Sequence, residues 1–86
     1  MRPEPARGRD HDPRFQLAET SPVRVEVFDI SGRLVRTLYR GVLGAGEHGV
    51  EWDGRTAQGD RLQTGVFLYR VHVGSKAWSA KIVLDR

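Results

Sequence analysis

Residues 44–49 are the first part of this 86-residue chain whose composition could bind a ligand, because they read Gly-Ala-Gly-Glu-His-Gly. The spacing G-x-G-x-x-G after a predicted strand is typical of dinucleotide sites. In those sites a helix N-terminus holds the pyrophosphate, and an acid follows about 20 residues later. Here Gly49 and Gly54 oppose a helix, and no acidic residue occurs between Asp60 and Asp85. We therefore interpret residues 44–49 as a structural segment and expect no cofactor.

A metal site would need His, Cys, Asp or Glu side chains at ligand spacing, and the chain contains no cysteine. The histidines are scattered and form no pair at such a spacing; they are His11, His48 and His72. Asp53 and Asp60 could offer oxygens to calcium, but their loop lacks the alternating acids of a calcium-binding segment. We expect no bound metal and interpret both aspartates as turn residues.

Nucleophilic catalysis is not indicated, because no serine lies in a G-x-S-x-G segment that would expose it beside a base. Ser31 is interpreted as a turn residue before Gly32. Aromatic side chains could form a platform for sugars, but Trp52 and Tyr69 share the parity of apolar neighbours, which favours a place in the core. The sequence therefore predicts a protein that is not an enzyme and has no catalytic residues.

The basic residues do not predict nucleic-acid binding, although the net charge is +3. The 14 Lys and Arg residues are interspersed with 11 acids and do not cluster in one segment. No apolar run approaches the roughly 20 residues of a membrane-spanning helix. Residues 1–30 lack the apolar core of a signal peptide. If the protein is exported, we expect a segment further upstream, or the C-terminus, to direct it.

The length predicts a single domain, preceded by a linker. Residues 1–13 contain three prolines and six charges and almost nothing apolar, so we predict that they are a disordered linker following upstream domains of a longer chain. Residues 14–86 are predicted to form the folded domain.

Apolar residues alternate with polar ones through most of this domain, which is the period of half-buried β-strands. Residues 65–73 form the longest such run, with Phe67 and Tyr69 facing inward. Residues 33–39 break the alternation, so that either both faces are covered or a bulge shifts the phase. Other inward positions are predicted at Phe15 and Leu17, Val23, Val25 and Val27, Val50 and Trp52 (a strand over 48–52), Val71 and Val73, and Trp78, Ala80, Ile82 and Leu84.

Turn residues separate these runs, since Gly and Asp favour the backbone of tight turns. The turns are predicted at residues 29–32, 53–54, 59–60 and 74–75, with a glycine-rich loop over 41–46. Gly65 is expected to let a neighbouring ring or backbone come close. Six or seven short strands without a helical period predict an all-β sandwich whose strands are mostly antiparallel.

Several short motifs occur in a fixed order along the chain. They are Phe28-Asp29, residues 32–38 (Gly-Arg-Leu-Val-Arg-Thr-Leu), residues 44–46, residues 50–54 (Val-Glu-Trp-Asp-Gly), Gly59, residues 64–70 (Thr-Gly-Val-Phe-Leu-Tyr-Arg) and residues 81–84 (Lys-Ile-Val-Leu). This order resembles the Ig-like domain of the flagellar hook-capping protein FlgD. It also resembles the type A sorting domain found at the C-termini of bacterial proteins exported by the type IX secretion system.

The resemblance implies an Ig-like β-sandwich that serves as a non-catalytic module of a secreted or cell-surface bacterial protein. Its structural signature would comprise Asp29, Gly32, Trp52, Asp53, Gly54, Gly59, Gly65 and Tyr69. The last strand would carry a sorting motif that a secretion-machinery or cell-envelope protein reads, at Lys81, Ile82, Val83, Leu84 and Arg86. Two alternatives stay open: a structural domain of a flagellar hook cap, and a carbohydrate-binding accessory sandwich of a secreted enzyme.

Overall fold

Six β-strands account for most of the structure, a computed structural model that describes residues 13–85. They are β1 (Arg14–Leu17), β2 (Ser21–Asp29), β3 (Leu34–Leu43), β4 (Gly46–Gly49), β5 (Gly65–Val73) and β6 (Lys76–Leu84). Residues 13–85 contain no helix, and so none that is long and apolar enough to cross a membrane. The predicted all-β fold with about six or seven strands is confirmed.

The strands form two antiparallel sheets that pack face to face as a sandwich. The smaller sheet contains β1 and β4, and the larger sheet has the order β3-β2-β5-β6. β3 and β6 are therefore the edge strands of the larger sheet. Residues 50–64 connect β4 to β5 as a long loop without a regular strand.

The first half of the core lies between the two sheets. Phe15 and Leu17 of β1 contact inward residues of β2 and β5, as the alternation predicts. These partners are Val23, Val25 and Val71.

The second half of the core is closed by the loop rather than by the smaller sheet, whose strands have only four residues each. Trp52 of the loop is fully buried there. It packs with Val27, Phe67, Ile82 and Leu84. The prediction that Trp52 anchors the core is confirmed, because it occupies the place that a longer second sheet would fill.

β3 pairs with β2 through two register shifts, which explain the broken alternation of its sequence. The residues skipped by the pairing are Leu38 and Val35. An extra residue in one strand changes which side the following residues face. Leu38 and Val35 both pack against the core, whereas Leu34 is exposed. Of the two explanations that the sequence left open, the bulge is confirmed.

Three predicted boundaries were wrong near β4. The strand ends at Gly49 instead of Trp52, because the chain turns there to carry Trp52 over the core. The glycine-rich loop is shorter than predicted, since β3 continues to Leu43 and β4 begins at Gly46. Pro13, which we assigned to the linker, is buried, and its carbonyl accepts a hydrogen bond from the Val50 N–H at 3.0 Å. The rest of the predicted linker, residues 1–12, lies outside the described residues.

Trp78 is the clearest error in the predicted core. It stands at an inward position of β6, opposite Val71 of β5, yet 41% of its surface is exposed. The loop that carries Trp52 covers Ile82 and Leu84, and the short smaller sheet covers β2 and β5. Neither element covers the beginning of β6. The alternation therefore indicated the correct side of the sheet for Trp78 but not its burial.

Candidate functional site

The turn that joins β2 to β3 uses two residues of the structural signature, Asp29 and Gly32. Oδ1 of Asp29 accepts hydrogen bonds from the Ser31 hydroxyl (2.6 Å), the Ser31 N–H (3.0 Å) and the Arg33 N–H (3.0 Å). These bonds, with that from the Ser31 hydroxyl the strongest influence, hold the pKa of Asp29 below its ordinary value. Gly32 has φ +92°, which a residue with a side chain rarely adopts. Both residues therefore build a turn.

The same turn recurs in the loop at residues 56–60, with Thr56 in the place of Asp29. Its Oγ1 accepts hydrogen bonds from the N–H groups of Gln58 and Asp60, each at 3.2 Å. Gly59 has φ +94° and donates to the Thr56 carbonyl at 2.9 Å, as Gly32 does to Asp29. The sequence analysis missed this equivalence. Its signal is a polar acceptor three residues before a glycine in both segments.

Trp52, Asp53 and Gly54 fix the loop to the sandwich. The Trp52 indole N–H donates to the Arg55 carbonyl at 3.1 Å, and the Trp52 ring meets the Phe67 ring edge-on at 5.5 Å. Gly54 is buried, and its carbonyl accepts a bond from the Leu62 N–H at 3.0 Å. These three signature residues therefore serve the fold.

Asp53 also joins the loop to β3. Its Oδ1 accepts bonds from the Arg55 N–H at 3.0 Å and from Nη1 of Arg36 at 2.6 Å. Loss of hydration raises the pKa of Asp53, but the bond from Arg55 and the positive charge of Arg36 outweigh it, so the pKa lies below its ordinary value.

The remaining signature residues, Tyr69 and Gly65, belong to β5. Tyr69 is half-buried on the inward face and packs against both halves of the core. A Cβ at Gly65 would meet a ring carbon of Phe67 at 3.8 Å, an ordinary contact, so the predicted close approach at Gly65 was wrong. The close approach lies instead at Gly41, where a Cβ would stand 2.9 Å from the Tyr39 hydroxyl.

The residues that could have carried chemistry have structural partners. Most of the G-x-G-x-x-G segment forms β4 rather than the start of a helix, which confirms its structural interpretation. His48 Nε2 lies 2.7 Å from the Gly44 carbonyl oxygen, and its ring stacks on Phe15. His72 Nε2 lies 2.9 Å from a Glu26 carboxylate oxygen. Within residues 13–85, no three His, Cys, Asp or Glu side chains lie together as metal ligands would. His11 is outside this range.

The residues of the candidate sorting motif fall on two sides of β6. Ile82 and Leu84 are buried in the core, whereas Lys81 and Val83 are exposed on the outward face. Arg86 lies outside the described residues. Because β6 is an edge strand, its free side is also open to another strand. Of the motif, Lys81 and Val83 are thus the described side chains that a partner could contact.

An apolar patch adjoins these two residues on the outward face of the larger sheet. It consists of Phe28, Leu34, Val66, Leu68 and Val83. Phe28 pairs with Leu34 on one side and with Leu68 on the other, and Val66 pairs with Val83. Its four aliphatic members are each between 37% and 54% exposed. The sequence analysis missed the patch, because only the register across all four strands brings these residues together.

Two cations border the patch. Lys81 is opposite Leu68 in the pairing of β5 and β6. The guanidinium of Arg70 lies 5.7 Å from the centre of the Phe28 ring, and its Nε donates to the Ser79 hydroxyl at 3.2 Å. Among residues 13–85, neither cation forms an ion pair.

The arrangement is that of an Ig-like β-sandwich module with a structural framework and an exposed apolar sheet face. A sequence model of the FlgD Ig-like domain family matches residues 9–77, which is most of the chain. The protein therefore belongs to the FlgD Ig-like domain family, whose members are structural, non-enzymatic domains. No curated protein matches the chain.

Proposed function

We propose that this domain is a sorting or anchoring module of a secreted or cell-surface bacterial protein, recognised through β6 by a secretion-machinery or cell-envelope protein. The observation that supports the proposal is that the two faces of β6 have different roles. Ile82 and Leu84 complete the core, while Lys81 and Val83 stay accessible on the other face. The same strand can thus complete the core with one face and contact a partner protein with the other.

The family itself favours a second candidate, the Ig-like structural part of a flagellar hook cap. The family is named after FlgD, and the match ends at residue 77, before the motif at residues 81–84 on which sorting would depend. A carbohydrate-binding role has less support. It would need a row of exposed aromatic rings, whereas Trp52 is buried and Tyr39 and Tyr69 are half-buried, which leaves Trp78 alone among the described Trp and Tyr rings.

Deleting residues 76–86 would not test the proposal, because Ile82 and Leu84 hold the core together. The sharper test fuses the chain to a reporter in a bacterium that carries the type IX system and compares two lysines of β6. The variants are Lys81→Glu and Lys76→Glu. Lys81 lies on the outward face beside Leu68, and Lys76 lies at the start of the strand. Both residues are exposed, so each change should alter the free energy of unfolding by less than about 0.5 kcal/mol.

We expect Lys81→Glu to reduce export of the reporter and Lys76→Glu to leave it unchanged. Equal export of the Lys81→Glu and unmodified proteins would contradict recognition at β6 and leave the structural hook-cap role as the better account. An unmodified fusion that stays inside the cell would contradict the sorting role itself.

A further inference from the structure

We infer that the docking surface extends beyond β6 across all four strands of the larger sheet, and that its partner is a separate envelope protein with an aliphatic surface bordered by acidic side chains. This inference rests on the proposed sorting or anchoring function and names the chemistry of its partner. The surface is the apolar patch with its two bordering cations, Arg70 and Lys81.

The apolar side chains of this surface are concentrated rather than scattered. Seven large hydrophobic residues are exposed among residues 13–85, and four of them, Leu34, Val66, Leu68 and Val83, belong to the patch. Single exposed apolar side chains are common on soluble proteins, but a contiguous group bordered by polar residues marks a contact surface. The patch spans side chains on all four strands of the larger sheet, an extent that suits a protein surface better than a small ligand.

The charges beside the patch indicate which side chains should surround the apolar surface of the partner. Arg70 and Lys81 flank Leu68 and have no carboxylate partner within residues 13–85. Glu26 is opposite Arg70 in the pairing of β2 and β5, but its carboxylate contacts Arg24 at 3.3 Å and His72 at 2.9 Å instead. The Asp29 carboxylate is bound by its turn and by Arg33, which lies 3.7 Å away. Asp85 lies four residues beyond Lys81, about 13 Å along an extended strand. Acidic side chains on the partner would therefore meet unpaired cations.

The same charges argue against a second copy of this chain as the occupant. A two-fold dimer whose axis passes through the patch would bring Arg70 and Lys81 of one copy towards those of the other. The described part of the polypeptide begins with Pro13 and β1, and β1 belongs to the smaller sheet, on the opposite layer of the sandwich from the patch. Within residues 13–85 the aliphatic members of the patch stay exposed, which leaves this face open to a separate protein.

The first experiment separates the patch from β6, using the exported reporter fusion. Leu34→Ser and Leu68→Ser change the patch on β3 and β5 and leave β6 intact. The matched control is Val42→Ser, an exposed aliphatic residue near the other end of the same sheet. We expect Leu34→Ser and Leu68→Ser to lose export to the same extent as Lys81→Glu, although circular dichroism shows both variants folded at the growth temperature, and Val42→Ser to keep it.

Loss of export with Lys81→Glu but not with Leu34→Ser and Leu68→Ser would overturn the extended surface and leave the proposed function standing. Export that resists all three substitutions would overturn both. These two failures are therefore distinguishable.

The second experiment identifies the partner by photo-crosslinking in the producing cell. A benzophenone amino acid replaces Leu68, and as a control it replaces exposed Gln16 of β1 on the opposite layer. We expect the Leu68 probe to capture a peptide of another protein that contains both aliphatic and acidic residues. Arg70→Glu should abolish this crosslink, and Arg40→Glu, at an exposed position near the other end of the sheet, should preserve it. A crosslink to the same polypeptide, to a second copy or to a basic peptide, or none at all, would overturn the inference.

Discussion

The two tryptophans show how differently one residue type can contribute at two places in a small fold. Trp52 is fully buried and is held by a hydrogen bond from its indole N–H and by the ring of Phe67. Trp78 lies on an inward face that no element within residues 13–85 covers completely. The pair therefore provides a matched test of the core at the residue scale.

Replacing Trp52 with Ala should reduce the free energy of unfolding by about 3–5 kcal/mol, because it empties a large part of the second core half. That loss is comparable to the whole stability of many small domains. Trp78→Ala should cost about 1 kcal/mol or less, since a large fraction of its surface is already exposed. Urea denaturation of both variants measures the difference. Equal costs would contradict the assignment of Trp52 as the anchor.

The aspartates of the two turn regions predict a pH dependence of stability. The pKa of Asp29 and that of Asp53 are lower in the folded protein than their ordinary value of 3.8. The unfolded chain therefore binds these protons first as the pH falls. The stabilisation is present above about pH 3.8 and is lost as the pH falls through the lower folded values. Between pH 7 and pH 3, the urea midpoint of unfolding should decrease less for Asp29→Asn and Asp53→Asn than for the unmodified protein.

Asp60→Asn is the matched control for this measurement, because Asp60 meets Thr56 through its backbone N–H and carbonyl. It should retain the pH dependence of the unmodified protein. If Asp29→Asn and Asp53→Asn also retain it, these two carboxylates do not stabilise the fold.

At the scale of the elements, the strands and their inward faces could be predicted from the sequence because alternation reports local periodicity. The alternation of β2 and β5 was sufficient to identify Val25, Val27 and Val71 as core residues. Burial of Trp78 could not be predicted, since it depends on how far a separate sheet extends. The apolar patch could not be predicted either, because it exists only once Leu34 and Leu68 are brought together by the register.

The two equivalent turns predict that replacing their positive-φ glycine lowers the stability of the domain. Gly59→Ala forces a side chain onto a residue with φ +94° and should cost about 1–2 kcal/mol. Gly44→Ala is the control, because its φ is not positive and an added Cβ would meet nothing closer than Thr20 Oγ1 at 4.0 Å. Thermal or urea denaturation distinguishes the two. A neutral Gly59→Ala would show that the backbone of this turn is not constrained as described.

At the scale of the whole molecule, the sandwich separates a structural side from an exposed side. The inward faces, the loop with Trp52 and both turns fix the fold, and the turn residues Asp29, Gly32, Asp53 and Gly59 serve this framework. The outward face of the larger sheet has an apolar patch that the fold does not use. Family membership accounts for the framework, whereas the proposed recognition surface depends on side chains that project away from it.

The most direct test of this account is the export of a reporter fused to the chain when an aspartate is placed at one of two exposed valines. Val83 lies in the apolar patch on β6, and Val42 lies on β3 near the other end of the sheet. We predict that Val83→Asp blocks export, that Val42→Asp does not, and that circular dichroism shows both proteins folded at the growth temperature. Equal export of the two folded variants would contradict a recognition role for the outward face of β6.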